Sequence, residues 1–286
     1  LENLTIFSLL IIQRNLLYSV LRQINLKMTA NLRITTVQSI IHWENIDKNL
    51  AYFAKQISDL KDETDLVILP EMFTTGFSMT PSNLAESMTG KTMEWMAKQA
   101  EAIHAVVTGS FIAESDGKYY NRLVWMFPNK TYKIYDKRHL FTLAKENESY
   151  EAGRKKLIVE WKGWKICPLI CYDLRFPVWS RNVEHYDLLI YTANWPITRS
   201  GAWKTLLEAR AIENQCYVAG VNRVGKDGNN LQYSGDSSII DFSGNGLHRD
   251  TTIEQVATIE IFKNKLLTFR KKLNFLGDRD LFSIEG

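Results

Sequence analysis

The sequence predicts an α/β domain in which helices cover a large core of sheet, and three observations carry that prediction. Segments with helical and strand periodicity alternate along the chain, several strands are short continuous apolar runs, and no low-complexity linker or composition break divides the sequence. The composition agrees, since 45% of the 286 residues are hydrophobic and 23% charged, enough apolar material for a sizeable core. Periodicity does not say whether the strands form one sheet or two.

The elements follow in order. Residues 1–27 contain the apolar run FSLLII, but Arg14 and Arg22 interrupt the stretch, which is too short to span a bilayer and has no small-residue cleavage site after it. We read 1–27 as an N-terminal extension outside the fold, Met28 as the functional start, and 28–286 as a single domain. A membrane-surface or partner-binding helix is the competing reading, because Leu16, Leu17, Val20, Leu21 and Ile24 recur at helical spacing. From Leu32, LRITTVQ has the branched residues of a strand. Ile46, Leu50, Phe53, Ile57 and Leu60 then mark one buried helical stripe. DLVILP is a continuous apolar run of the kind buried on both faces of a sheet, and it ends at Pro70, which has no N–H for a ladder. Glu71 is therefore expected just past a strand end. A helix over 92–102 follows, then strands at AVVTGSFI, YYNRLVWMF, TYKIYD and WKICPLI. After these come a helix over 178–183, the strand DLLIYTAN, a helix over 202–214, the strand CYVAGVNRV and a short β segment in SSIIDFSG.

Charge and cysteine usage exclude several classes of function. The net charge of +3 is spread without a long Lys/Arg run, so nothing points to a nucleic-acid partner. Cys167, Cys171 and Cys216 cannot all pair and show no disulfide spacing, so a reducing, cytoplasmic compartment is expected. The C-x3-C pair has no histidines at ligand spacing, which argues against a structural zinc site.

Three polar residues each follow an apolar or aromatic strand: Glu71 after DLVIL, Lys137 after TYKIYD and Cys171 after WKICPLI. Alone, a Cys in an apolar run is a small core residue, and a Glu or Lys at a strand end is a solvated charge. The surrounding blocks change that assessment. LPEMFTTGF at 69–77, YDKRHLF at 135–141 and CYDLRFP at 171–177 resemble the nitrilase superfamily of carbon–nitrogen hydrolases, in order and in separation. The resemblance runs from about Leu32 to about Phe269 and takes in NWP at 194–196 and RAIENQCYV at 210–218. The phrases PEMFTTGFSM, DKRHLF and CYDLRFPVW look closest to the bacterial omega-amidases, which hydrolyse 2-oxo-acid amides.

The resemblance implies a four-layer α-β-β-α sandwich of the nitrilase type and a catalytic Glu71, Lys137 and Cys171. It also implies a second glutamate in the loop KENESYEAG, where Glu146 fits the family spacing to Gly153 better than Glu148 does. Glu71 would take the Cys171 proton, Lys137 and the backbone N–H of Tyr172 would hold the oxyanion, and Glu146 would position the groups, with no metal or organic cofactor. Phe77, Arg175, Asn194 and Trp195 are pocket residues by motif position. Arg175 suits either a substrate carboxylate or a structural ion pair. His139 invites a Cys–His dyad, although the block puts Lys at the catalytic position. The expected reaction releases ammonia from an omega-amide such as 2-oxoglutaramate or 2-oxosuccinamate. The alternatives are the same chemistry on a carbamoyl-amine or a nitrile, and a non-catalytic scaffold. The expected partners are a small-molecule amide and a second copy of the chain in a homodimer, with no stable membrane association.

Overall fold

The computed structural model describes residues 31–284, so the expectations for 1–27 and for Met28 lie outside the described residues. In chain order the strands are β1 (Leu32–Gln38), β2 (Leu66–Ile68), β3 (Val106–Ser115), β4 (Lys118–Met126), β5 (Tyr132–Asp136), β6 (Val159–Trp161), β7 (Trp164–Ile170), β8 (Leu188–Ala193), β9 (Tyr217–Asn222), β10 (Val224–Lys226), β11 (Gln232–Ser234), β12 (Ser238–Ile240), β13 (Gly246–Arg249) and β14 (Gln255–Ile261). The longer helices are α1 (Ile46–Ile57), α2 (Lys91–Ile103), α3 (Ser200–Asn214) and α4 (Lys263–Lys272). Among these residues no helix is long and apolar enough to cross a membrane.

Two six-stranded mixed sheets pack face to face, in the orders β14-β1-β2-β3-β4-β5 and β13-β12-β9-β8-β7-β6. Alternation along single strands explains the layers. In β2, Leu66 and Ile68 enter the core between the sheets, where they meet Ile166, Leu188 and Ile190. Val67 and Leu69 point the other way, into a cluster with Phe53 and Ile57 of α1 and Met96 and Ala100 of α2. Leu189 and Tyr191 of β8 likewise face Trp203, Leu207 and Ala211 of α3. The result is the α-β-β-α sandwich, and it explains why these strands read as unbroken apolar runs.

Local chemistry sets the element ends. Asn45 caps α1 by accepting the Lys48 N–H at 3.0 Å. Helix α3 approaches β9 so closely that a Cβ on Gly220 would stand 2.5 Å from Leu207 Cδ1, which only glycine avoids. Pro168 sits inside β7 where β6 no longer accompanies it, the last pair being Val159 with Ile166, so its missing N–H interrupts no ladder.

Some expectations need correction. The helix expected over 178–183 is a single turn, Pro177–Ser180. It stops because buried Asn182 binds the backbone of Tyr186 and Asn214, and such local side-chain bonds compete with a helix. The α1 stripe ends in a 3-10 turn, Ser58–Leu60. CYVAGVNRV divides at Arg223 into β9 and β10, with the Asn222 side chain accepting the Arg223 N–H at 3.0 Å. Beyond SSIIDFSG, β13, β14 and α4 add two sheet edges and a helix not expected from the sequence.

Candidate active site

Glu71 lies in the turn that leaves β2. Met72 adopts the left-handed conformation, with φ +43°, and its N–H is held by Ser110 Oγ at 2.9 Å. The buried Glu71 carboxylate accepts three hydrogen bonds. Oε1 takes Asn121 Nδ2 and Lys137 Nζ, both at 2.8 Å, and Oε2 takes the Asn194 N–H at 2.8 Å.

Lys137 follows β5, whose end is fixed by a bidentate Arg122–Asp136 pair. Residues 138–153 then loop out and return, closing when the Gly153 N–H donates to the Lys137 carbonyl at 2.9 Å. A Cβ on Gly153 would stand 2.0 Å from the Asp136 carbonyl oxygen, so this closure requires glycine. The loop delivers Glu146 onto Lys137, with Nζ 3.0 and 2.9 Å from its two oxygens. The Phe141 N–H holds Oε2 at 2.6 Å. Glu148 is exposed and pairs with Lys145 at 3.5 Å. Of the two acids in the loop, Glu146 is therefore the one that joins the cluster.

Cys171 opens the 3-10 turn Cys171–Arg175 with φ +40°, a sparsely populated conformation for a residue with a side chain. Buried Asp173 fastens that turn. Its Oδ2 accepts the Ile170 N–H and the Tyr135 hydroxyl at 3.0 and 2.7 Å, and its Oδ1 accepts the His139 N–H and Nδ1 at 3.0 and 2.8 Å. His139 is thus committed to Asp173 and stacks on Phe176 at 3.7 Å, so it braces the turn and the Cys–His dyad reading is not supported.

Cys171 and Lys137 open into a cavity of about 280 Å³. Phe77, Tyr172 and Trp195 line it, and the Phe77 ring centroid is 5.1 Å from Lys137 Nζ. Arg175 also lines it, with its guanidinium 4.9 Å over Trp195 and no carboxylate paired with it among the described residues. The structural ion pair considered for Arg175 is absent among those residues. Asn194 lines the cavity too, but its Nδ2 donates to the Glu71 carbonyl at 2.6 Å, which makes it foremost a brace for Glu71.

The family model for carbon-nitrogen hydrolases matches residues 33–267. The chain belongs to the carbon-nitrogen hydrolase family. It is 43% identical over 260 residues to omega-amidase YafV of Escherichia coli (strain K12), covering 88% of this chain and 98% of that protein. It is 33% identical over 247 residues to 2-oxoglutaramate amidase of Bacillus subtilis (strain 168), covering 84% and 93%. Among solved structures it superposes with TM-score 0.88 on XC1258 of Xanthomonas campestris, a CN-hydrolase superfamily protein with an arsenic adduct in its active site. That pair is 45% identical, covering 90% of this chain and 100% of the other.

In this carbon-nitrogen hydrolase the electrostatics of the cluster are set by burial and by mutual pairing. Burial disfavours the Lys137 ammonium, but the charges of Glu146 and Glu71 outweigh it and hold its pKa above the ordinary lysine range. Burial pushes the Glu146 carboxyl up against the opposing pull of Lys137. Burial, and then the Glu71 charge, push the Cys171 thiol well above its usual pKa, with Lys137 acting in the other direction. Burial and the Glu71 charge thus favour the neutral Cys171 thiol, which sits beside Glu71 and the fixed Lys137 cation. Such a set can move a proton from sulfur as sulfur attacks a carbonyl, and can stabilise charge developing on the carbonyl oxygen.

Sequence reasoning missed Asn121. On β4 its Nδ2 bridges Glu71 Oε1 at 2.8 Å and Glu146 Oε1 at 3.2 Å. The available signal was an uncharged polar residue inside the strand YYNRLVWMF, at a position that proves fully buried. Asp173, which fastens the Cys171 turn, was also missed. Met72 and Phe73 belong to the core, while Met79 lines the cavity.

Proposed function

We propose that this hydrolase is an omega-amidase, releasing ammonia from a short amide of a 2-oxo dicarboxylic acid such as 2-oxoglutaramate or 2-oxosuccinamate. The observation that carries the reading is the buried Glu71–Lys137–Glu146 network set against Cys171, in a cavity that also presents the guanidinium of Arg175, with which no carboxylate pairs among the described residues. The likeness to the omega-amidase of E. coli and the 2-oxoglutaramate amidase of B. subtilis supports the substrate class.

In this mechanism Glu71 takes the thiol proton as Cys171 sulfur bonds to the amide carbon. Lys137 and the Tyr172 N–H stabilise the tetrahedral oxyanion. Glu71 passes the proton to the departing nitrogen, the C–N bond breaks, and ammonia leaves a thioester on Cys171. Glu71 then takes a proton from water, hydroxide adds to the thioester carbon, and as the C–S bond breaks Glu71 returns that proton to sulfur, giving the carboxylic acid and the thiol. Glu146 is a positioning residue that holds Lys137 in place. Arg175 takes the substrate carboxylate, and Phe77 and Trp195 shape the cavity around the carbon chain.

On the same reading residues 28–286 act as one domain and the enzyme works as a homodimer in the cytoplasm. The three free cysteines suit a reducing compartment, and light scattering tests the assembly. Ammonia release from 2-oxoglutaramate, 2-oxosuccinamate, glutamine, a carbamoyl-amine and a simple nitrile tests the function, with Cys171→Ala as control. Cys171-dependent turnover concentrated on the 2-oxo amides is expected. Turnover on the carbamoyl-amine or nitrile instead would keep the chemistry and replace the substrate, and no Cys171-dependent turnover would make the protein a scaffold.

A further inference from the structure

We infer that Arg199 is a specificity-determining residue, which with Arg175 makes the mouth of the cavity a cationic wall that accepts a 2-oxo carboxylate and disfavours its 2-amino counterpart. The inference rests on the omega-amidase reading and assigns its selectivity to a particular side chain.

Arg199 ends the 3-10 turn Ile197–Arg199, immediately before α3, and lines the same cavity as Cys171 and Arg175. Its carbonyl accepts the Trp195 indole N–H at 2.8 Å, which ties the turn to the ring on which Arg175 stacks. Its guanidinium lies 5.2 Å over the Phe141 ring, and among the described residues no carboxylate pairs with it. The Phe141 platform is itself anchored, because its ring packs on Tyr172 at 4.9 Å and its N–H holds Glu146. Arg199 is thus fixed by stacking, and its charge remains available to a ligand.

The chemistry at this end of the cavity is one-sided. A guanidinium carries N–H donors and no acceptor, and it stays charged at any working pH. The carboxylate among the lining residues is Asp227, and its own hairpin occupies it. Oδ1 accepts the N–H groups of Asn229 and Leu231 at 2.8 and 2.9 Å, and Oδ2 accepts the Tyr233 hydroxyl at 2.8 Å. A 2-oxo group beside a carboxylate offers only acceptors and suits two guanidiniums. A 2-ammonium group in the same place would face two like charges, and the acceptors that line the cavity beside Asp227 are the neutral side-chain amides of Asn194 and Asn229. Sites of this kind discriminate, because the wrong ligand sets like charges against one another.

The test compares kcat/KM for 2-oxoglutaramate and for glutamine in the wild type, Arg199→Met and Arg199→Lys. Loss of a charge-assisted bond predicts that the preference for the 2-oxo amide falls roughly 10- to 100-fold in Arg199→Met, mainly through KM, and by less in Arg199→Lys, which keeps the charge but loses the fork. A variant that lowers both substrates by the same factor, leaving the ratio unmoved, overturns the inference while the omega-amidase reading stands. A wild type with no turnover of any 2-oxo amide overturns both.

Discussion

At the inner end of the cavity the charges are buried and paired, whereas at the mouth Arg175 and Arg199 rest on aromatic rings without a carboxylate partner among the described residues. Lys137 is 1% exposed, and both carboxylates facing it are fully buried. Their hydrogen bonds come from three separate stretches of chain: Asn121 on β4, Lys137 and Phe141 after β5, and Asn194 after β8. In the proposed mechanism a network so interlocked is preorganised for one kind of proton and oxyanion chemistry. On the proposed function the choice of substrate falls to these two guanidiniums at the mouth. On the proposed mechanism this division assigns the chemistry to the buried network and selectivity to different residues at the mouth.

The largest effect should come from breaking the inner network. Lys137→Met leaves Glu71 and Glu146 buried without their cation, and we expect turnover to vanish and stability to fall by about 3–5 kcal/mol, measured by urea unfolding. A fully stable Lys137→Met would mean that the two carboxylates do not depend on the lysine. The sign of the pH dependence follows from the raised Lys137 pKa. Its contribution is fully present below the unfolded value of 10.5 and is lost as pH rises through the higher folded value.

Asn121→Ala should cost about 1–3 kcal/mol, since two buried carboxylates each lose a donor, and kcat should fall with it. An unchanged kcat would reduce Asn121 to packing. At the mouth, Arg175→Met should raise KM for 2-oxo amides roughly tenfold or more while the melting temperature moves little. Added salt should raise KM in the wild type more than in this variant. A drop in kcat at constant KM would contradict the division between chemistry and recognition.

The smallest and subtlest effect concerns the thiol. Cys171 opens to the cavity, whereas Cys167 and Cys216 are fully buried, so iodoacetamide should label Cys171 first. Its rate should keep rising through pH 9.0, because burial and Glu71 hold the thiol neutral above the ordinary range. A plateau near neutral pH would show that Lys137 dominates instead.

How much of this was legible in the sequence depends on the physics of each element. Strands buried on both faces, such as β2 and β8, announce themselves as apolar runs, and α1 shows its stripe because one face alone meets the sheet. Strand β14 pairs with β1 at a sheet edge and leaves Val256 and Glu260 exposed, so its alternation carries no strong signal. The residues 178–183 were expected as a helix, but a single buried amide, Asn182, redirects the backbone. Glu71, Lys137 and Cys171 were recoverable because each ends a strand within a recognisable block. The burial of Glu146 depends on a loop closure at Gly153 that local periodicity does not report. Asn121 and Arg199 act through partners far away in sequence, and neither stands out until the fold brings those partners together.

The central claim is that Cys171 is acylated by an omega-amide within this network. Mixing the enzyme with 2-oxoglutaramate, quenching in acid within a turnover and mapping peptides by mass spectrometry tests it most directly. The account predicts a transient 2-oxoglutaryl group on the Cys171 peptide, absent from Cys171→Ala. Ammonia release that persists in Cys171→Ala, or acylation of Cys167 or Cys216 in its place, would contradict it.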